Sequence, residues 1–555
     1  MPKDTDEKIK IRYKGKVYSF DNPIKGKDLI KNLNIPRKDF VVAIVKNNTH
    51  IRLSDVIDSN CMVDFIYLNS VNGMRIYSST FFIILLKAFY DLFPNGQLVI
   101  DHSISKGYYC YPELGRLFDY YDIKKLSRKI EEIISKNLPI TMKNMDVNQA
   151  RDFFKQKGFF DTYELLKFLD SGNLSVYFLK DNCEFYNEPL LPSTGYIKKF
   201  NLRSYSPGFI VQIPYYTKEG RIPEFVEEKK LFTIFRETYN QNKILGINNV
   251  VNINKAICDD RIGEVIQLAE SFHERKIQNI ADEIDSRRSH LRFILISGPS
   301  SSGKTTFSKR LSIALRLHGI KPIAISLDDY FLDREKTPRD ESGEYDYESL
   351  YAIDLELLTS NIFSLLRGDE ITLPKFNFID GKREGGKIIK LTKDQMLIIE
   401  GIHGLNPKLT ENIPGYLKYN IYVSALTQLN IDFHHRIPTT DGRIIRRIVR
   451  DSLYRGHSAL STIKMWANVR KGEEKNIFPY QENADVMFNS ALVYELALLK
   501  GMVTPLLKEI DDSKEEYPEA SRLLNFLSFF KSIDDKEIPP TSILREFIGG
   551  SSFNY

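Results

Sequence analysis

Cysteine is scarce in this sequence: four in 555 residues, Cys61, Cys110, Cys183 and Cys258, widely spaced and without a CxxC pair. That excludes a zinc ribbon and a disulfide framework, and it fits a reducing compartment. Long apolar runs are missing as well. The densest, Phe81 to Leu86, stops at Lys87, far short of the roughly 20 residues a bilayer span needs. The opening MPKDTDEKIK lacks the apolar centre of a signal peptide, so a cytoplasmic protein with no membrane partner is expected. Excess charge of one sign is also absent: 78 Lys and Arg against 73 Asp and Glu leave +5, too little to imply a nucleic-acid partner from bulk electrostatics. There is no internal repeat and no low-complexity segment. What remains is an ordinary globular composition, 42% hydrophobic and 27% charged, with length for three or four domains at roughly 150 residues each.

Patterning divides the chain. The run KIKIRYKGKVYSF alternates apolar and charged residues about Gly15, the signature of a hairpin with one wet face. A short helix is expected over 27–33, strands over 41–45 and 62–68, and a turn at Asn72-Gly73. STFFIILLKAFYDLF (79–93) has the density of a buried helix, 98–100 reads as a strand, and 123–136 as a second long helix. Mixed strand and turn signals run on to about 240. Ile262, Val265, Ile266, Ala269 and Phe272 share one face of a helix expected over 260–288. Then LRFILIS (291–297) reads as a buried strand, SKRLSIALRLH as a helix capped by Gly319, and PIAIS (322–326) as the next strand, a parallel βαβ unit. MLIIE (396–400), a helix near 442–454 and ADVMFNS (484–490) continue the alternation, and the last forty residues carry no pattern.

The chemistry concentrates at the first of these strand ends. Gly298-Pro299-Ser300-Ser301-Ser302-Gly303-Lys304-Thr305 is a full GxxxxGK[ST] between a predicted strand and a predicted helix. Glycines let successive N–H groups face one centre, the helix N-terminus adds positive potential, Lys304 reaches phosphates, and Thr305 can ligate magnesium. The next strands end in Asp328-Asp329 and in Glu400, and in an open parallel sheet such ends share a crevice. Phosphoryl transfer needs a carboxylate for the metal and a base for an alcohol acceptor. Arg443, Arg446, Arg447, Arg450 and Arg455 follow in DGRIIRRIVRDSLYRG. The functional reading is a mobile lid whose guanidinium groups meet phosphoryl oxygens. The ordinary alternative is a basic surface helix paired to Asp441 and Asp451.

GPSSSGKTT, LDDYF, YDYESL, PKFNFIDGKR, LIIEGIHGL and TDGRIIRRIVRD, in this order, resemble the uridine kinase and phosphoribulokinase group of P-loop kinases. The resemblance implies a nucleotide site of Gly298, Ser300, Ser301, Ser302, Gly303, Lys304, Thr305 and Thr306 with the lid arginines Arg443, Arg446, Arg447 and Arg450. It assigns the catalytic base to Asp328, with Lys304 and Arg447 completing the catalytic set, and the metal to Thr305, Glu400 and Asp328. It places the nucleoside against Asp328, Tyr330, Glu348, Phe376, Phe378 and Arg383. ATP or GTP and Mg2+ are the implied cofactors. The chain departs from that pattern at three places. Gly381 stands where those kinases carry a base-reading histidine, Glu348 replaces an aspartate that holds the ribose hydroxyls, and Asp329 replaces a serine, offering a second carboxylate to the metal or as base.

The front half is similar to something else. Residues 7–69 resemble a TGS domain, and LLKAFYDLFPNGQLVIDHSISKGYYCYPE and YNEPLLPSTG resemble the second additional domain of threonyl-tRNA synthetase, which hydrolyses mischarged tRNA. That editing chemistry needs an HxxxH helix and a later Cys/His pair. IYSSTFFIILL (76–86) has no histidine, and Tyr186 and Leu190 stand at the Cys and His places, side chains that offer no metal ligands of the required kind. Editing is therefore expected to be absent, with His102 read as a structural residue. No synthetase catalytic domain follows.

The expected class is an α/β multidomain protein: a TGS-like β-grasp domain (1–70), an α+β synthetase-editing-like domain (71–240), a helical connector (241–289), a P-loop kinase domain with a parallel sheet (290–510) and a C-terminal tail (511–555). The expected activity is ATP-dependent phosphorylation of the 5′-hydroxyl of uridine or cytidine. The rival is an NTP-driven regulator that holds tRNA or another RNA through its front modules, and a kinase of a different nucleoside or sugar stays open, as does a homo-oligomer.

Overall fold

The computed structural model describes residues 8–36, 40–216, 220–340, 343–377, 380–392 and 394–554. The chain opens with β1 (Ile9–Tyr13), β2 (Lys16–Phe20), β3 (Ile24–Lys25), α1 (Gly26–Asn32), β4 (Val41–Lys46), β5 (Thr49–Ile51), β6 (Val56–Ile57) and β7 (Cys61–Tyr67). The hairpin β1–β2 turns at Gly15, φ 78°. The main sheet has the order β2-β1-β7-β4-β5 with β1 and β7 parallel at its centre, a β-grasp arrangement.

Next come α2 (Val71–Leu92), β8 (Gln97–Ile104), β9 (Gly107–Glu113), α3 (Tyr120–Ser135), β10 (Thr141–Asp146), α4 (Val147–Lys157), α5 (Phe160–Leu166), β11 (Asn173–Leu179), β12 (Asn182–Phe185), β13 (Asn201–Tyr205) and β14 (Gly208–Gln212). They form two antiparallel sheets, β10-β11-β12 and β13-β14-β9-β8. The turn expected at Asn72-Gly73 is instead the first turn of α2: Ser70 caps the helix by accepting the Gly73 N–H at 3.0 Å. Gly73 is needed for contact, since a Cβ there would stand 1.9 Å from the Tyr67 carbonyl oxygen. Helices α4 and α5 were not expected, although Asp146 caps α4 and Gly158 ends it in the left-handed conformation.

Three helices follow, α6 (Lys229–Leu245), α7 (Val250–Cys258) and α8 (Ile262–Ser286), of which α6 begins ahead of the connector expected over 241–289. Beyond it lie β15 (Phe293–Ser297), α9 (Lys304–Leu317), β16 (Ile323–Ser326), α10 (Leu355–Arg367), β17 (Glu370–Asn377), β18 (Lys382–Lys390), β19 (Leu397–Glu400), β20 (Lys418–Ser424), α11 (Thr439–Tyr454), α12 (Ala459–Asn476), β21 (Val486–Asn489), α13 (Glu495–Lys508), α14 (Tyr517–Ser528) and α15 (Arg545–Ile548). Five of these strands make an all-parallel sheet, β16-β19-β15-β20-β21, while β17–β18 is a separate antiparallel hairpin. Successive side chains of β15 enter two different cores. Ile294 and Ile296 join one with Phe307 of α9 and Ile445 of α11, and Phe293 and Leu295 join another with Leu358 of α10. Burial on both faces explains why these strands read as continuous apolar runs.

The two halves are interlocked. Ile100 of β8 donates its N–H to the Phe433 carbonyl at 2.9 Å, and Asn430 donates to the Ile100 carbonyl at 3.1 Å. Arg75 of α2 pairs with Glu519 of α14 at 2.8 Å. The unpatterned tail is packed: Ile543, Leu544 and Phe547 are buried in the core shared with α9, α11 and α13. Among the described residues no helix is long and apolar enough to cross a membrane.

Candidate active site

The C-terminal ends of β15, β16 and β19 open onto one crevice. After β15 the chain cannot carry a side chain at position 298, because a Cβ would stand 1.9 Å from the Val423 carbonyl oxygen of β20. Ser301 (φ 59°) and Gly303 (φ 82°) turn the backbone left-handed, curling the loop about the N-terminus of α9, where unpaired N–H groups and the helix dipole favour an anion. Lys304 folds back over the loop, its Nζ donating to the Pro299 carbonyl at 3.3 Å. The buried Ser301 and Ser302 hydroxyls have no hydrogen-bond partner among the described residues, donors of the kind a phosphate group satisfies.

Glu400 faces the loop from the end of β19. The hydroxyls of Thr305 and Ser326 both donate to its Oε1 at 3.2 Å. Burial, and then Asp328, push its carboxyl up to about 7 against the pull of Lys304. Asp328 lies in the turn after β16. Glu348, between β16 and α10, is likewise pushed up to about 7, by burial first and then by Glu473. One Glu348 oxygen is sealed from solvent with no hydrogen-bond partner among the described residues. The Glu400 carboxyl, raised and touching the Thr305 hydroxyl, is short of positive charge, and these two are oxygen ligands of the kind a divalent cation takes.

The mobile arginine lid needs correction. Arg443 and Arg446 are fully buried. Arg443 forks onto Glu473 of α12 and donates to the Ser300 carbonyl at 3.3 Å; Arg446 pairs with Glu495 of α13 and donates to the Ser490 carbonyl at 2.8 Å. These two arginines brace the loop from behind, and Ser490 in turn donates to the Ser302 carbonyl at 2.5 Å. Arg447 reaches the loop from the other side, its Nη1 donating to Ser300 Oγ at 2.9 Å while Asp451 holds its Nε at 3.2 Å. Arg450 and Arg455 also pair with Asp451. The ordinary pairing thus holds at Asp451, whereas Asp441 binds Arg522 of α14 at 2.7 Å.

On the acceptor side the sequence-based set separates. Tyr330 is fully buried and its hydroxyl accepts from Asn361 of α10 at 3.0 Å, so it serves the core rather than a substrate. Arg383 is tied to Asp354 at 2.8 Å. Phe376 meets Phe331 edge-on, with centroids 5.7 Å apart, and Phe378 lies outside the described residues. One oxygen of Asp329 accepts the Phe376 N–H at 3.3 Å, which turns it toward the β17–β18 hairpin. Gly381 has φ 65°, and a Cβ there would lie 2.8 Å from Arg334 Nε. Thr306 is engaged too: its N–H and hydroxyl both donate to Glu546 of α15, at 3.1 and 2.7 Å.

His403, Glu473 and Glu546 are the residues that the pattern did not single out. His403 is fully buried, held neutral with a pKa of about 4, chiefly by burial and also by the Lys304 ammonium. Its position three residues beyond Glu400, at the same strand end, was the available signal. Glu473 accepts the Ser300 N–H at 3.2 Å, a contact from 173 residues away in sequence that no local spacing reveals.

In the front half, His102 is buried, its Nδ1 3.0 Å from Asp101 and its ring stacked 3.8 Å from Phe235 of α6. Tyr186 and Leu190 are buried in a different core, with α2 and α3. Beside them the segment leading into α11 inserts His434 and His435. His434 Nδ1 lies 2.6 Å from Glu184, and its Nε2 lies 3.0 Å from the Tyr90 hydroxyl. His435 pairs with Asp432 at 2.8 Å and with the Phe185 carbonyl at 2.8 Å. Although burial opposes it, pairing with Glu184 raises His434 to about 9, and pairing with Asp432 and Glu184 raises His435 to about 9.

A parallel sheet with a GxxxxGK[ST] loop facing strand-end acids defines a P-loop phosphotransferase architecture. Residues 293–497 match the family model "Phosphoribulokinase / Uridine kinase family". A uridine kinase from Staphylococcus haemolyticus is 30% identical over 193 residues, 35% of this chain and 84% of that enzyme. The chain belongs to the phosphoribulokinase / uridine kinase family. Its N-terminal region is similar to threonine–tRNA ligases; the one from Desulfatibacillum aliphaticivorans is 26% identical over 195 residues, 35% of this chain, which spans only 30% of that ligase's length. Among solved structures, one described as a possible uridine kinase from Bacillus stearothermophilus is 21% identical, with a TM-score of 0.26, and is matched along 100% of its length by 39% of this chain.

Proposed function

We propose that this protein is a magnesium-dependent kinase that moves the γ-phosphoryl group of ATP or GTP to the 5′-hydroxyl of a pyrimidine nucleoside, uridine or cytidine. The observation that carries the reading is the convergence of three strand ends: the 298–305 loop, Asp328 and Glu400 meet in one crevice, with Thr305 donating to Glu400 at 3.2 Å. Lys304 and the loop N–H groups bind and orient the polyphosphate, and Arg447 adds charge beside Ser300. Asp328 takes the proton from the acceptor hydroxyl. Magnesium, held by Thr305, Glu400 and Asp328, supplies neutralisation of phosphate charge. Glu348, with one buried oxygen that has no hydrogen-bond partner among the described residues, is the acid we assign to the acceptor's ribose hydroxyls. The test is a nucleoside panel with ATP and Mg2+ and identification of the product. A nucleoside 5′-monophosphate supports the reading. Turnover retained in Asp328→Asn rejects the assigned base.

A second reading, an NTP-driven regulator holding RNA, is favoured by the interlocked front half, where Glu184 and Ile100 grip the segment leading into α11. Nucleotide hydrolysis stimulated by tRNA, with no phosphorylated nucleoside formed, would select it. TGS-type binding and residence in the cytoplasm belong to these proposals as well.

A further inference from the structure

We propose that Glu546 is an intramolecular occupant of the phosphate cradle, so that the chain restrains its own nucleotide site until a triphosphate displaces this carboxylate. The proposal rests on the reading of the 298–305 loop as a phosphate site. Thr306 is the third residue of α9, a 14-residue helix, and lies among the first N–H groups that a helix leaves unpaired. A single oxygen of Glu546, Oε2, accepts both the N–H and the hydroxyl of Thr306, at 3.1 and 2.7 Å. One anionic oxygen on two donors at a helix N-terminus is what a phosphate oxygen would present there. The two cannot accept the same hydrogens together.

The segment that carries Glu546 is anchored. The Ile543 side chain, two residues before α15, lies 2.5 Å from where a Cβ on Gly303 would stand, so the segment leading into α15 presses directly on the loop. Phe547 lies against the Arg446 guanidinium, 5.1 Å away. Arg545 pairs with Asp535 at 2.6 Å and donates to the Asp535 and Ile538 carbonyls at 2.7 and 2.8 Å. The backbone of α15 therefore stays in place, whereas Glu546 itself is only half-buried. Release is a rotation of one side chain rather than an unfolding of the tail. Glu546 also adds a third carboxylate to Asp328 and Glu400 near Lys304, so a triphosphate entering the loop meets like charge until the rotation occurs. The fraction of molecules with the carboxylate withdrawn sets the apparent affinity.

The experiment measures binding of Mg-ATP and of inorganic tripolyphosphate to the full-length chain, to Glu546→Gln and to Glu546→Ala, with melting temperatures alongside. Both variants are expected to bind both ligands more tightly by on the order of tenfold, the scale of one charge-assisted hydrogen bond exchanged. Glu546→Gln keeps the shape and carries the test if the alanine variant melts early. Equal or weaker binding by a folded variant, with the unsubstituted chain binding normally, overturns the proposal. Absence of binding by all three chains strikes the phosphate-loop reading beneath it.

Discussion

His434 and His435, buried where the front half meets the kinase half, stay cationic up to about pH 9. Glu348 and Glu400, beside the phosphate loop, hold their protons up to about 7, and His403 stays neutral down to about 4. At the junction His434 and His435 each have a carboxylate partner, and pairing outweighs desolvation. In the crevice Glu348 and Glu400 lie beside other acids, and desolvation prevails over the pull of Lys304 and Arg447. The junction thus works as a fastener, and the crevice is left in need of the cation and substrate that a kinase would bring.

The sharpest way to break this contrast is to substitute the crevice. Asp328→Asn is expected to lower nucleoside-dependent ADP formation by about 10²–10⁴-fold, the usual range for removal of a general base, and Lys304→Ala by a similar factor. Melting temperatures should hold within a few degrees, because Lys304 contributes only a 3.3 Å hydrogen bond to the Pro299 carbonyl. A large loss of stability with activity retained would reverse the two roles.

The converse substitution is Glu184→Ala, which leaves His434 buried without its partner. Loss of one member of a buried pair costs about 3–5 kcal/mol, to be read from urea unfolding, and equal stability would remove the fastener. The same cluster makes a signed prediction for pH. Both histidines have folded pKa values above their usual 6.5, so the folded chain binds more protons there than the unfolded chain. Their contribution is complete below about pH 6.5 and is lost as pH rises through 9. The groups facing them are Glu184 of β12, Asp161 of α5, Tyr90 of α2 and Asp432 on their own segment. Asp161 is itself raised by burial. Melting temperature should fall between pH 7 and 9 in the full chain, and the fall should flatten in Glu184→Gln. The smallest effect is expected from His102→Gln, which removes a ring stacked on Phe235. About 1 kcal/mol of stability should go, with kinase turnover untouched; a loss of turnover would mean that His102 acts beyond its core.

Much of the architecture was legible because it is locally encoded. Fully buried parallel strands read as apolar runs, and the glycines of the phosphate loop announce backbone conformations that other residues resist. The chemistry at the strand ends was legible for the same reason, since Asp328 and Glu400 follow directly on apolar strands. The arginines were misjudged because sequence gives helix face but not what packs on it: Glu473 and Glu495, 30 and 49 residues on, claim Arg443 and Arg446. Tyr330 was assigned to substrate by resemblance and Asp329 read as a second carboxylate for the metal or as base, while Asn361 and the hairpin N–H of Phe376 bond to them. The tail could not be read at all. It holds α14 of 12 residues as well as α15 of four, and its contacts with Thr306 and Gly303 come from 240 residues away.

The most direct measurement is product identification by phosphorus NMR after incubating the full-length chain with ATP, Mg2+ and uridine or cytidine, in parallel with Asp328→Asn. The account predicts a nucleoside 5′-monophosphate from the unsubstituted chain and little or none from the variant. ATP consumption without any phosphorylated nucleoside, or equal product from the variant, would contradict it.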